Sequence, residues 1–211
     1  MEVQLRRPEI TKTEWQDEDG NSINKAVVGE TIKLYAEVTE FEEGQGVTFT
    51  VYNARTGEAV YEAGSDVQDG KAEALWTYHW DGEPLEEKPK YYFEVTANRC
   101  KPVKSEEVEI GAKIYIPVET AEQKAGTDIE YVLYTPGDEI KKKTDSEGII
   151  KEDDLIPGEY TIVFEGEKKE KIQDGIRFIF ITPRDSERTE IHFSADTQMK
   201  IIITAFDEAI S

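Results

Sequence analysis

Residues 31–38 read Thr-Ile-Lys-Leu-Tyr-Ala-Glu-Val, and the fold class follows from them. Ile32, Leu34, Ala36 and Val38 alternate with Lys33, Tyr35 and Glu37. A period of two sends successive side chains to opposite faces, so the segment predicts a β-strand with one dry face and one wet face. The same pattern recurs outward. Upstream, residues 10–15 form a strand-like run before the turn signal Asp17-Glu18-Asp19-Gly20-Asn21, and Gly29-Glu30 marks a second turn. Downstream, Val47, Phe49 and Val51 alternate with Thr48, Thr50 and Tyr52 ahead of Thr56-Gly57. Residues 59–63 read as a short edge strand. Asp69-Gly70 introduces 72–80, where Ala72, Ala74, Trp76, Tyr78 and Trp80 are expected on one face. Tyr91, Phe93, Val95 and Ala97 form another face, and Val108 with Ile110 closes the series.

About seven strands in about 100 residues, with turns every 8–12 residues, predict an immunoglobulin-like or fibronectin-like sandwich. A second series begins after Gly111. Ile114, Ile116 and Val118 alternate, Ala125-Gly126 interrupts them, and Ile129, Tyr131 and Leu133 follow up to a Thr135-Pro136-Gly137-Asp138 turn. Asp145 to Gly148 and Pro157-Gly158 are further turns, and Tyr160, Ile162 and Phe164 alternate with Thr161 and Val163. The runs 176–181, 191–193 and 201–206 are largely apolar on both faces, which predicts central strands. Only 119–124 and 194–199 have room for a single helical turn. The expectation is an all-β chain of two consecutive β-sandwich domains, 1–111 and 112–211.

The 211 residues carry 46 acidic against 25 basic side chains, a formal net charge of −21. Divided after Gly111, the first part has 12 basic and 24 acidic residues and the second 13 and 22. Both halves are therefore acidic, which disfavours nucleic acid and anionic membrane surfaces as partners, because phosphate binding needs clustered Lys and Arg. The dense basic run, Lys141-Lys142-Lys143, lies among Asp138, Glu139, Asp145 and Glu147 and reads as a solvated turn or strand edge. No apolar run approaches the ~20 residues of a membrane-spanning helix. The first fifteen residues contain no apolar signal-peptide core, so the expectation is a protein that is cytoplasmic as synthesised. A single cysteine, Cys100, cannot form an internal disulfide and agrees with a reducing compartment.

Nucleophilic catalysis needs a nucleophile, a base and an orienting group together. The chain has two histidines, His79 and His192, and each sits in a strand-like run as an ordinary strand residue. Cys100 reads as a loop thiol or a small apolar filler. No Gly-x-Ser-x-Gly elbow, His-Glu-x-x-His or phosphate-binding glycine loop appears. Acidic pairs are abundant, so a carboxylate pair of the glycosidase kind is left open by counting alone. Asp17, Asp19 and Asn21 alternate as in a calcium loop, but Ser22 stands where an EF-hand needs glycine and Val28 where it needs glutamate. A hairpin turn is the better reading. No catalytic residue, metal ligand or cofactor is assigned. The aromatics Trp76, Tyr78, Trp80, Tyr91, Tyr92 and Phe93 suit a sandwich core, with Trp80 and Tyr92 the members expected at the surface.

Two sets of motifs carry a resemblance. Residues 15–21 (WQDEDGN), 26–34 (AVVGETIKL) and 67–76 (VQDGKAEALW) resemble Ig-like modules found beside spike components of bacterial contractile injection and type VI secretion systems. Residues 129–134 (IEYVLY), 143–148 (KTDSEG) and 155–164 (LIPGEYTIVF) are similar to transthyretin-like (prealbumin-like) or Cna-B-like domains, including those appended to VgrG-type spikes. The resemblance spans 15–164 and brings no catalytic residues with it. No motif for an intramolecular Lys–Asn bond of the pilin kind is present. It implies a non-catalytic structural or adaptor protein that docks a spike, tail or effector component and can itself be exported by the injection system. An envelope or extracellular glycan-binding or adhesion module is the alternative. Protein docking is expected at Trp80 and Tyr92 and at Ile201 and Ile203. The last two lie in a stretch, 200–206, that reads as a central strand or as an edge completed by a partner strand.

Overall fold

The computed structural model describes residues 7–120, 124–135, 138–173, 176–182, 188–194 and 201–205. All regular structure in it is β. The chain divides into two compact units, Met1–His79 with Glu87–Gly111, and Trp80–Glu86 with Ala112–Ser211.

The first unit is built from β1 (Glu9–Gln16), β2 (Lys25–Val27), β3 (Thr31–Thr39), β4 (Gly46–Asn53), β5 (Ala59–Asp66), β6 (Lys71–Thr77), β7 (Lys90–Ala97), β8 (Val103–Lys104) and the start of β9 (Val108–Thr120). One sheet runs β1-β3-β6. In the other, β5-β4-β7 is extended by β8 and β9 on β7, and β2 lies parallel to β9. The alternation of 31–38 does what its period dictates. Ile32, Leu34, Ala36 and Val38 are all buried, as are Val47, Phe49 and Val51 of the other sheet. Trp15 and Phe93 meet edge to face at 4.8 Å, and Trp76 stands 5.6 Å from Trp15. Strand β6 ends at Thr77, three residues short of the expected run. Tyr78 still reaches the aromatic cluster, 5.5 Å from Tyr91, whereas His79 is exposed.

The second unit contains the rest of β9 with β10 (Glu130–Tyr134), β11 (Glu139–Lys143), β12 (Ile149–Leu155), β13 (Glu159–Glu165), β14 (Glu167–Gln173), β15 (Ile176–Thr182), β16 (Arg188–Ser194) and β17 (Ile201–Ala205). Its sheets run β11-β10-β13-β16 and β14-β15-β17-β9, with β12 pairing β9 on the far side. Leu133, Ile150, Ile162, Ile179 and Ile191 form the centre of its core. The Tyr160 hydroxyl donates to the carbonyl of Ile156, which ties the start of β13 to the residue before Pro157-Gly158.

Three further expectations change. Val108–Ile110 and Ile114–Val118 are one thirteen-residue strand, because Val108, Ile110, Ala112, Ile114, Ile116 and Val118 keep a single buried phase through Gly111. Run 191–193 lies in a terminal strand, β16, where His192 faces solvent. Glu119 and Thr120 belong to β9, so the helical turn suggested for 119–124 does not start there; 121–123 and 195–199 lie outside the described residues.

Candidate functional site

Among the described residues no group of three or more His, Cys, Asp or Glu side chains gathers into a cation site. The thiol of Cys100 is half-buried and donates to the carbonyl of Pro8 at 3.0 Å. Burial, then the charge of Glu9, push it above the ordinary thiol range, which lowers its thiolate fraction. Asp17 accepts from the main-chain N–H of Asn21 at 2.8 Å and from its side-chain amide, which holds its carboxyl below the usual range. This is the hairpin turn read from the sequence, with Gly20 at φ 83°.

One arrangement was not legible beforehand. On the outer face of the β13/β16 pair, the Thr161 hydroxyl lies 2.8 Å from Nδ1 of His192, and Nε2 of His192 lies 3.8 Å from Glu190. Hydroxyl, imidazole and carboxylate follow one another as in a hydrolytic triad. The Thr161↔His192 register produces the contact, a cross-strand pair whose partners are 31 residues apart in sequence. The imidazole is 73% exposed, and no helix is present among the described residues to supply oxyanion donors from its N-terminus. A well-solvated row of this kind is a surface hydrogen-bond ladder.

A second polar group sits in the second unit. Glu152 on β12 is 8% exposed and accepts from Lys142 Nζ at 2.6 and 2.8 Å and from the Tyr131 hydroxyl at 3.3 Å. Burial, then the Glu152 charge, push the Tyr131 phenol well up. The middle lysine of the basic run is thus the counter-ion of an inward carboxylate. Lys141 and Lys143 pair outward with Glu139 and Glu130 at 2.9 and 3.2 Å.

The expected docking residues fall in three different settings. Trp80 is buried, not exposed, and its indole N–H donates to the carbonyl of Glu83 at 2.7 Å. Its indole is therefore not a free surface anchor. Tyr92 is half-buried on the outer face of the β4/β7 pair, stacked on Tyr52 at 5.2 Å, with Lys104 Nζ 3.4 Å from its ring centroid. The ring faces are largely taken up by these neighbours, and the hydroxyl-bearing edge is what remains to offer. Ile201 and Ile203 lie in β17, laddered parallel to β15 on one side and to β9 on the other. Of the two readings of this stretch, it is a central strand, so strand addition there has no open edge; Phe206 lies outside the described residues.

The open corners of the first unit are closed by side chains. Thr13 and the Trp15 indole donate to the carbonyls of Lys104 and Glu106 at 3.2 and 2.9 Å, joining β1 to the segment around β8. On the opposite corner the Tyr61 hydroxyl donates to the carbonyl of Leu75 at 2.9 Å, and the Glu73 N–H donates to the Ser65 hydroxyl at 3.3 Å. These bonds occupy main-chain groups of β6 that an incoming strand would need.

No protein-family model and no curated protein matches this sequence. Among solved structures, the chain is similar to the major pilin subunit of Bacillus cereus, at 14% identity and a TM-score of 0.31, over 95% of this chain and 70% of that one. It is also similar to the Bacillus anthracis TIE protein, at 9% identity and a TM-score of 0.39, over 97% of this chain and 41% of that one.

Proposed function

We propose that this chain is a non-catalytic structural or adaptor part that works by docking a protein partner on its β-sandwich surfaces. The observation that carries this reading is the contrast between sheet corners. The first unit stitches two of its corners with side chains, whereas the four-stranded sheet of the second unit ends in β11 and β16, each laddered on one side among the described residues. A solvated sheet edge offers main-chain donors and acceptors to a partner strand, and alternate side chains add selectivity. The solvent-exposed setting of His192 and the upward shift of the Cys100 thiol support the non-catalytic part. The finer role rests on the resemblance of 15–164 to modules of contractile injection and type VI spikes: an adaptor that joins an effector to a spike or tail component.

The test is affinity purification of the tagged chain from its native cell, with bound proteins identified by mass spectrometry. Spike, tail or effector proteins in the eluate are the expected result, and their consistent absence would remove the injection-system role.

A second reading, an envelope or extracellular glycan-binding or adhesion module, would use the hydroxyl-bearing edge of Tyr92, beside Tyr52 on an outer sheet face. It requires glycan-array binding that Tyr92→Ala abolishes; silence on the array dismisses it.

A further inference from the structure

Among the described residues, nearly every sheet edge carries an obstacle to strand addition. Strand β1 has a register break between Ile10 and Lys12 and side-chain bonds to Lys104 and Glu106. Strands β5 and β6 are tied to each other through Tyr61 and Ser65. Strands β2 and β8 are three and two residues long. Strand β11 carries three lysines and the sequence of β14 contains three as well, a composition that disfavours pairing with a second copy of the same strand while leaving β11 open to a different, acidic partner. Strand β12 breaks register between Glu152 and Leu155, where Asp154 adopts φ 64°.

Strand β16 has no break in register, and its side-chain bonds, from Thr189 to the Gly166 carbonyl and from Arg188 to the Tyr134 hydroxyl, run back toward β13 and β10 and leave its other side free of such ties among the described residues. Its seven residues keep unbroken register with β13 from Glu165↔Arg188 to Glu159↔Ser194, and it contains no lysine, proline or glycine. Among the described residues its second side bears no ladder. Thr189 and Ile191 are buried on the core face, while Arg188, Glu190 and His192 stand on the outer face.

We propose that this edge pairs with the same edge of a second copy of the chain, antiparallel about Ile191, so that two four-stranded sheets become one of eight. The sequence of β16 is complementary to itself in that register. A two-fold axis through Ile191, normal to the sheet, sets Glu190 of each copy opposite His192 of the other on the outer face, and Thr189 opposite Phe193 on the core face. Centring the axis on Glu190 sets carboxylate against carboxylate and Arg188 against His192. Centring it between two residues sets core-facing side chains opposite outward ones. The Ile191 register alone keeps both faces in phase and pairs carboxylate with imidazole. This inference goes beyond the spike-adaptor reading and does not rest on it, since a chain that binds no spike component can still form the dimer.

Sedimentation velocity of the full chain from about 1 to about 200 µM tests it, a span that covers ordinary micromolar association. The expected result is a concentration-dependent dimer. Glu190→Lys, which faces His192, and His192→Glu, which faces Glu190, are each expected to weaken it about tenfold, because each places an unfavourable cross-strand pair twice in the interface. The double variant Glu190→Lys/His192→Glu sets lysine opposite glutamate and restores the dimer, a rescue that a folding defect cannot imitate. A wild-type chain that stays monomeric at the highest concentration overturns the proposal. So does a dimer that neither single variant weakens, or one weakened by both and not restored in the double.

Discussion

The ammonium of Lys142 lies 2.6 Å from Oε1 of Glu152, a glutamate 8% exposed. The lysine stem stays half-exposed, so the pair joins an inward carboxylate to a cation at the sheet rim. Removing the cation leaves the carboxylate with the Tyr131 hydroxyl as its other described partner. Lys142→Met is expected to cost about 1–3 kcal/mol, below the range for fully buried pairs because the ammonium is half-solvated. Lys141→Met, whose pair with Glu139 is exposed on both sides, should leave the midpoint essentially unchanged. Urea midpoints of the two variants decide the matter; equal midpoints would show that Glu152 does not depend on Lys142.

Three phenols hold their protons beyond the ordinary range. Tyr35 is pushed up to about 12 by burial and then by Glu37, Glu14 and Glu73. Tyr160 is pushed up to about 12 by burial, and Tyr131 is raised by burial and Glu152. An unfolded chain releases these protons near pH 10, so between about 10 and 12 the native state binds more protons than the unfolded one. The stability held by the neutral phenols is therefore complete below pH 10 and is lost as pH rises toward 12. Denaturation midpoints from pH 8 to 11.5, followed beside phenolate absorbance, should fall over the upper part of that range; a flat profile contradicts the assignment.

Gly148 closes the Asp145 turn at φ 74°, where Asp145 accepts from the N–H groups of Glu147 and Ile149 at 2.9 Å each. A Cβ there would stand 2.6 Å from the amide nitrogen of Gly126 and 2.9 Å from the carbonyl oxygen of Val118. Both are backbone atoms, so Gly148→Ala should destabilise by about 2–4 kcal/mol. Gly57 has a similar φ of 71° with open space around it, and Gly57→Ala should cost only about 1 kcal/mol. Thermal unfolding separates the two, and similar losses would refute the close approach.

The β5/β6 corner makes a prediction about local opening. Tyr61→Phe with Ser65→Ala removes the bonds to the Leu75 carbonyl and the Glu73 N–H. The expected loss of global stability is about 1 kcal/mol. Hydrogen exchange at the Glu73 amide should speed up, while the amide of Ala74, which points toward β3 by the parity of the strand, keeps its protection. Unchanged exchange at Glu73 would mean that the corner is held by other contacts.

Much of the fold was legible because sheet burial is periodic. The phase of Ile32, Leu34, Ala36 and Val38 named a buried face correctly, and the Asp145-x-x-Gly148 and Asp17 to Asn21 turns were visible as turn chemistry. The continuity of β9 was also present in the sequence, since every second residue from Val108 to Val118 is apolar. Gly111 was read as punctuation, although the phase did not change there.

What stayed hidden depends on neighbours distant in sequence. An indole carries no mark of how deeply it is covered, so the burial of Trp80 came from the tertiary structure, and so did the identity of β15 and β9 as neighbours of β17, whose apolar run had already pointed to a central strand. The same holds for Lys142 facing Glu152, Tyr61 capping Leu75 and Thr161 meeting His192. The sequence by itself determined the all-β class, most strand phases and the absence of a large basic patch, because these follow from local periodicity and composition. Only the tertiary structure decided which edges are open and which polar groups are paired, because strand order brings together residues that no local period relates.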